Sequence, residues 1–219
     1  MEGLLLSTFP ERAADVPPLE RARNPALIVV DMQNDFVRAG APLEVESSRA
    51  TIPRIRRLID VFHQRELPIV YTRFLTRRTA NLAWLWTPEC APETRCCWEG
   101  HLRSYRDSNE RLDCAAVVSE LAPSRSDLRV DKYGYGAFHG TDLDYLLRAR
   151  RVESLLVAGT VTQICVEETA REAYHRGYRT TIVSDAVSSF APDLHAATLK
   201  NFEMKFGWVA DTETALSWL

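Results

Sequence analysis

The chain has 219 residues, 46% hydrophobic and 26% charged, which is ample for one core and gives no sign of a second domain. A formal net charge of -3 leaves no electrostatic footprint for nucleic acid. No run approaches the roughly 20 apolar residues that cross a bilayer, and five cysteines without a basic secretory leader argue against a disulfide framework, so a soluble, cytoplasmic protein is expected.

Residues 1–24 mix Pro10, Pro17 and Pro18 with charges and have no core pattern, which predicts an arm ahead of a single domain over 25–219. Ala26 to Phe36, ALIVVDMQNDF, is an apolar strand interrupted by Asp31. Ser48 or Thr51 opens a helix to about Gln64, with Ile52, Ile55, Leu58, Ile59 and Phe62 on one face. The next strand is Pro68 to Thr72, and Arg73 stands at its end.

Periodicity is then lost to about Asn109, in a stretch dense in tryptophan, arginine and cysteine that includes Trp84, Trp86 and Trp98. A long excursion at a strand end reads as a pocket wall or a subunit contact. Cys90, Cys96, Cys97 and Cys114 form no C-x-x-C pair and have no histidine at zinc spacing, so they read as packing residues and no metal is expected.

Leu128 to Lys132 is the third strand, followed by the loop Tyr133 to Phe138 and a helix over Asp142 to Arg150 that Thr141 can cap. Leu155 to Ala158 is a short strand punctuated by Gly159. Thr162 then opens a helix on which Val166, Ala170, Ala173 and Tyr174 share a face until Gly177. Cys165 therefore falls in the first turn of a helix at the carboxyl end of a strand, where helix amides and dipole favour a thiolate. A strand near Asp185, a last short one centred on Val209 and a final helix capped by Asp211 or Thr212 complete the alternation. That order predicts a three-layer αβα sandwich on a mainly parallel, roughly six-stranded, Rossmann-like sheet.

Asp31, Lys132 and Cys165 each stand at a strand end, so a parallel sheet brings an acid, an ammonium and a thiol together. Alone, each has an ordinary reading as turn residue, surface charge or small buried hydrophobe. Together they make a nucleophile, a base and a charge stabiliser.

VVDMQNDF (29–36), DKYGYGAF (131–138) and GTVTQICVEETAREA (159–173) resemble the isochorismatase-like cysteine hydrolases, a family that includes nicotinamidases, N-carbamoylsarcosine amidases, ureidoacrylate hydrolases and biuret-type hydrolases. The resemblance implies catalytic Asp31, Lys132 and Cys165, an oxyanion hole at the amides of Val161 and Cys165, a cis Thr160–Val161 peptide, no cofactor, and a homodimer or homotetramer. The Asp-x-His by which nicotinamidases of this family bind a metal after the second strand has no counterpart here, since no histidine follows Thr72 until His101. The expected substrate is a small carbamoyl or ureido amide, such as biuret, triuret, an N-carbamoyl amino acid or ureidoacrylate. Biuret-type members place a glutamine near the position of Lys205. Candidate substrate contacts are Gln33, Phe36, Arg73, Trp84, Tyr133, Tyr135, Gln163 and Lys205. Isochorismatase-type hydrolysis is the alternative within the family. A redox-sensing thiol protein and a receiver-like phosphoacceptor are the alternatives outside it.

Overall fold

The computed structural model describes residues 24–76 and 86–219. Residues 1–23 of the expected arm, and Trp84, lie outside them. In chain order the elements are β1 (Pro25–Val30), α1 (Asn34–Val37), α2 (Ser48–Gln64), β2 (Ile69–Phe74), β3 (Leu102–Ser104), β4 (Arg111–Asp113), β5 (Leu128–Lys132), α3 (Leu143–Ala149), β6 (Ser154–Thr160), a π-helical turn (Thr162–Val166), α4 (Glu167–His175), β7 (Arg179–Ser188), α5 (Pro192–Lys205), β8 (Trp208–Ala210) and α6 (Thr212–Ser217).

Six strands form one sheet in the order β5-β2-β1-β6-β7-β8, and every pairing in it is parallel. The chain adds strands outward from β1 to β5 on one side, then returns to lay β6 against the other side of β1. The carboxyl ends of β1 and β6 thus meet at the switch point of the sheet, where such folds leave a crevice.

β1 is buried on both faces, so its period of two feeds two cores. Leu27 and Val29 pack with Ile55, Leu58, Ile59 and Phe62 of α2 on one side. Ala26, Ile28 and Val30 pack with Leu143 and Leu147 of α3, Ala170 and Ala173 of α4 and Phe202 of α5 on the other. The expected three layers are present, and Asp211 caps α6 by accepting the amide of Thr214 at 2.8 Å. α3 is opened by Asp142 without a side-chain cap bond, the Thr141 hydroxyl accepting the amide of Leu143 at 3.2 Å just ahead of it, and Thr162 lies inside the π-helical turn rather than capping it.

Three local differences have physical causes. The excursion after β2 contains an antiparallel hairpin, β3 with β4, whose half-exposed residues carry no apolar alternation. The helix expected from Thr162 begins as a π-helical turn, and regular α-helix starts only at Glu167. β7 runs beyond Asp185 to Ser188, with a register irregularity opposite Val157 to Gly159. At Gly159 (φ +116°) a Cβ would stand 2.1 Å from the carbonyl oxygen of Val30, so close approach of β6 to β1 requires glycine.

Candidate active site

Asp31 follows the last residue of β1 and takes a left-handed conformation (φ +48°), uncommon outside glycine. Its backbone and carboxylate are held from β2: the Thr72 hydroxyl accepts the amide of Asp31 at 3.2 Å and donates to its Oδ1 at 2.6 Å. Oδ2 is 2.7 Å from Lys132 Nζ, and neither side chain has any exposed surface. The ammonium also donates to the Gly134 carbonyl at 3.2 Å and lies 5.1 Å from the centre of the Phe74 ring.

Cys165 completes the group. The thiol is 2% exposed and sits within electrostatic reach of both Asp31 and Lys132. Burial pushes the thiol above its ordinary value, Lys132 draws it down, and Asp31 pushes it up again. Burial draws Lys132 down, but the Asp31 carboxylate and Cys165 outweigh that and its pKa is raised. The three groups thus form one buried, electrostatically coupled set.

Two tethers fix the parts. The loop after Lys132 is tied to α4, where Thr169 Oγ1 accepts the amide of Ala137 at 3.1 Å and Glu172 Oε2 accepts that of Phe138 at 2.9 Å. At the π-helical turn the Thr162 hydroxyl donates to the Ser188 carbonyl at 2.9 Å and is 2.9 Å from His195 Nδ1, which is left to act as the donor. The Thr160–Val161 peptide is cis, as the resemblance implies.

Cys165 and Val161 open on a cavity of about 390 Å³ whose walls include Phe36, Leu43, Phe74, Trp86, Tyr135, Ile164 and Phe190. Of the sequence-derived contacts, Phe36 and Tyr135 line it. Gln33 does not present its amide to the cavity: its side chain donates to the Phe74 carbonyl at 3.0 Å and accepts the Phe74 amide at 2.7 Å, riveting β1 to β2. Arg73 is turned away as well, forked onto Asp131 at 2.7 and 2.8 Å and onto Glu99 at 2.9 Å. Tyr133 is 41% exposed outside the cavity, Gln163 faces a shallow depression beside α4, and Lys205 ends α5 on the surface. The cavity's described lining has two carboxylates, Glu44 and Glu89, and no cation.

Thr72 and Phe74 escaped the sequence reading, yet a signal existed. Alternate residues of a strand share a face, so a β2 that carries Thr72 and Phe74 toward Asp31 must carry Arg73 the other way, onto its cross-strand neighbour Asp131.

A family profile for the isochorismatase domain matches residues 25–214. Among curated relatives, ureidoacrylate amidohydrolase RutB of Methylorubrum extorquens is 32% identical over 205 residues, covering 87% of this chain and 82% of that protein. The uncharacterized isochorismatase family protein YwoC of Bacillus subtilis is 31% identical over 192 residues, covering 87% and 92%. Among solved structures, N-carbamoylsarcosine amidase of Thermoplasma acidophilum superposes with a TM-score of 0.72 at 28% identity, covering 87% of this chain and 98% of that one. A profile match over nearly the whole described chain, together with these likenesses, places the protein in the isochorismatase family.

Proposed function

We propose that the protein is a cysteine-dependent amidohydrolase that cleaves a small carbamoyl or ureido amide through a thioester. The observation that carries this reading is the buried 2.7 Å ion pair of Asp31 and Lys132 touching a thiol at the wall of a cavity. The names of the ureidoacrylate and N-carbamoylsarcosine relatives support the substrate class.

In this mechanism Asp31 takes the thiol proton as Cys165 Sγ bonds to the amide carbon, so the thiolate exists only as it reacts. Lys132 keeps Asp31 ionised beforehand and offsets the negative charge on sulfur. The carbonyl oxygen becomes an oxyanion facing the amides of Val161 and Cys165. As the tetrahedral species collapses the C–N bond breaks, and Asp31 returns the proton to the departing amine. Water, deprotonated by Asp31, then attacks the thioester carbon. The carboxylic or carbamic acid leaves and sulfur recovers a proton.

The aromatic walls and the commitment of Arg73 to Asp131 and Glu99 favour, within this class, substrates whose non-reacting part is uncharged. Among the described residues no cation lines the cavity, which favours biuret and triuret over isochorismate, ureidoacrylate and N-carbamoyl amino acids, whose carboxylates want a cation. The test is ammonia release from biuret, triuret, N-carbamoyl amino acids of increasing apolar size, ureidoacrylate and nicotinamide. Turnover of at least one ureide is expected, with kcat lowered about 10³-fold or more in Cys165→Ala and Asp31→Asn. Unchanged turnover in Cys165→Ala would remove the nucleophile. A cytoplasmic homodimer or homotetramer belongs to the same reading, and light scattering checks the assembly.

A further inference from the structure

We propose that Cys96 and Cys97, with Asp35, form a binding site for a thiophilic cation, Zn²⁺ foremost. In the sequence these residues show no zinc spacing, and the expectation of no metal rested on that. The fold supplies the proximity that the spacing does not.

The residues come from two places. Asp35 lies in α1, directly after the strand that carries Asp31, and the cysteines lie on the turns between β2 and β3. All three are fully buried. The sulfurs of Cys96 and Cys97 are 3.7 Å apart, and with a carboxylate oxygen of Asp35 they lie mutually within 4.8 Å. Cys90 packs in the same buried cluster. Tetrahedral zinc with Zn–S bonds of about 2.3 Å holds its sulfurs about 3.8 Å apart, so the vicinal pair already has the ligand-to-ligand separation.

The surroundings suit a cation. Asp35 is a fully buried carboxylate fixed in place: Oδ1 accepts Arg103 Nε at 2.9 Å and the Tyr105 hydroxyl at 2.6 Å, and Oδ2 accepts the amide of Cys97 at 2.8 Å. Such partners orient a metal-ligating carboxylate, and Oδ2 retains a lone pair for the ion. As two S–Zn bonds form, two thiol protons leave to solvent. The resulting excess negative charge is partly offset by Arg103. Cys114 is placed differently, its thiol donating to the carbonyls of Trp98 and Arg95 at 3.1 and 3.5 Å.

Cys90 also lines the cavity in front of Cys165. Zinc at Cys96 and Cys97 would fasten the segment that bears Cys90 to α1.

Cobalt titration of the metal-stripped full chain tests the site, because Co²⁺ held by thiolates in a tetrahedron gives an intense near-ultraviolet charge-transfer band and strong visible bands. One equivalent is expected to saturate the wild-type spectrum, and one equivalent of Zn²⁺ to displace it. Cys165→Ala is expected to keep both results, while Cys96→Ser and Cys97→Ser lose them with unchanged circular dichroism. Should the serine variants misfold, the charge-transfer intensity of the wild type decides, since two thiolates give about twice the absorption of one. Absence of a thiolate band in the wild type overturns the site, as do a one-thiolate intensity and a band lost in Cys165→Ala alone.

Discussion

At the scale of single residues, Asp31 and Lys132 are a fully buried pair, and the energetics of such pairs are lopsided. Two charges leave water together, so the pair adds little net stability, but deleting one partner strands the other and costs about 3–5 kcal/mol. Lys132→Ala is therefore expected to lower the urea midpoint strongly as well as to abolish turnover, while the double variant Asp31→Asn with Lys132→Met recovers most of the stability and no activity. Thr72 offers a finer test, because its hydroxyl binds Asp31 twice. At about 1.5–3 kcal/mol for a hydrogen bond to a charged group, Thr72→Val should lower kcat/KM by about ten- to a hundredfold, and steady-state kinetics on the best substrate will check it. The candidate triad was legible because each member is an ionisable or nucleophilic residue at the end of an apolar strand. Arg73 invited the same inference and does not reach the cavity, since a strand end has two faces and an isolated residue does not say which one it occupies.

At the scale of elements, the π-helical turn that bears Cys165 is stitched to α5 through Thr162 and His195. Burial holds the His195 pKa below its ordinary value. A depressed folded value means that this contribution to stability is complete above the unfolded pKa, about 6.5, and is lost as pH falls through the folded one. Urea unfolding at pH 7.5 and pH 5 is expected to show a loss on acidification that His195→Gln partly removes. α2 carries a different load: Phe62 is fully buried against the sheet, and Phe62→Ala should cost about 3–5 kcal/mol by the same measurement. The limits of α2 were readable from its apolar spacing and its end near Gln64. The π-helical turn was not, since one additional residue per turn leaves no mark on five positions. Nor was the meeting of Asp35 with Cys96 and Cys97, which depends on the excursion after β2 returning to α1 across a sequence separation of 62 residues.

At the scale of the whole molecule, the order of strands follows from β1 being the first laid down and buried on both faces, with later strands added to either side. The alternation of strands and helices in the sequence was enough to predict the layers, because parallel neighbours need a covering helix between them. The long excursion after β2 carries no such alternation, and its hairpin became visible only in three dimensions. Among the described residues β5, which supplies Lys132, bonds on one side only, to β2. An edge strand therefore delivers the charge on which the proposed chemistry depends. Fraying there needs no general melting. In a urea series, catalysis should fade while ellipticity still reports an intact fold, and a short β-forming peptide that caps the free margin of β5 would slow such inactivation.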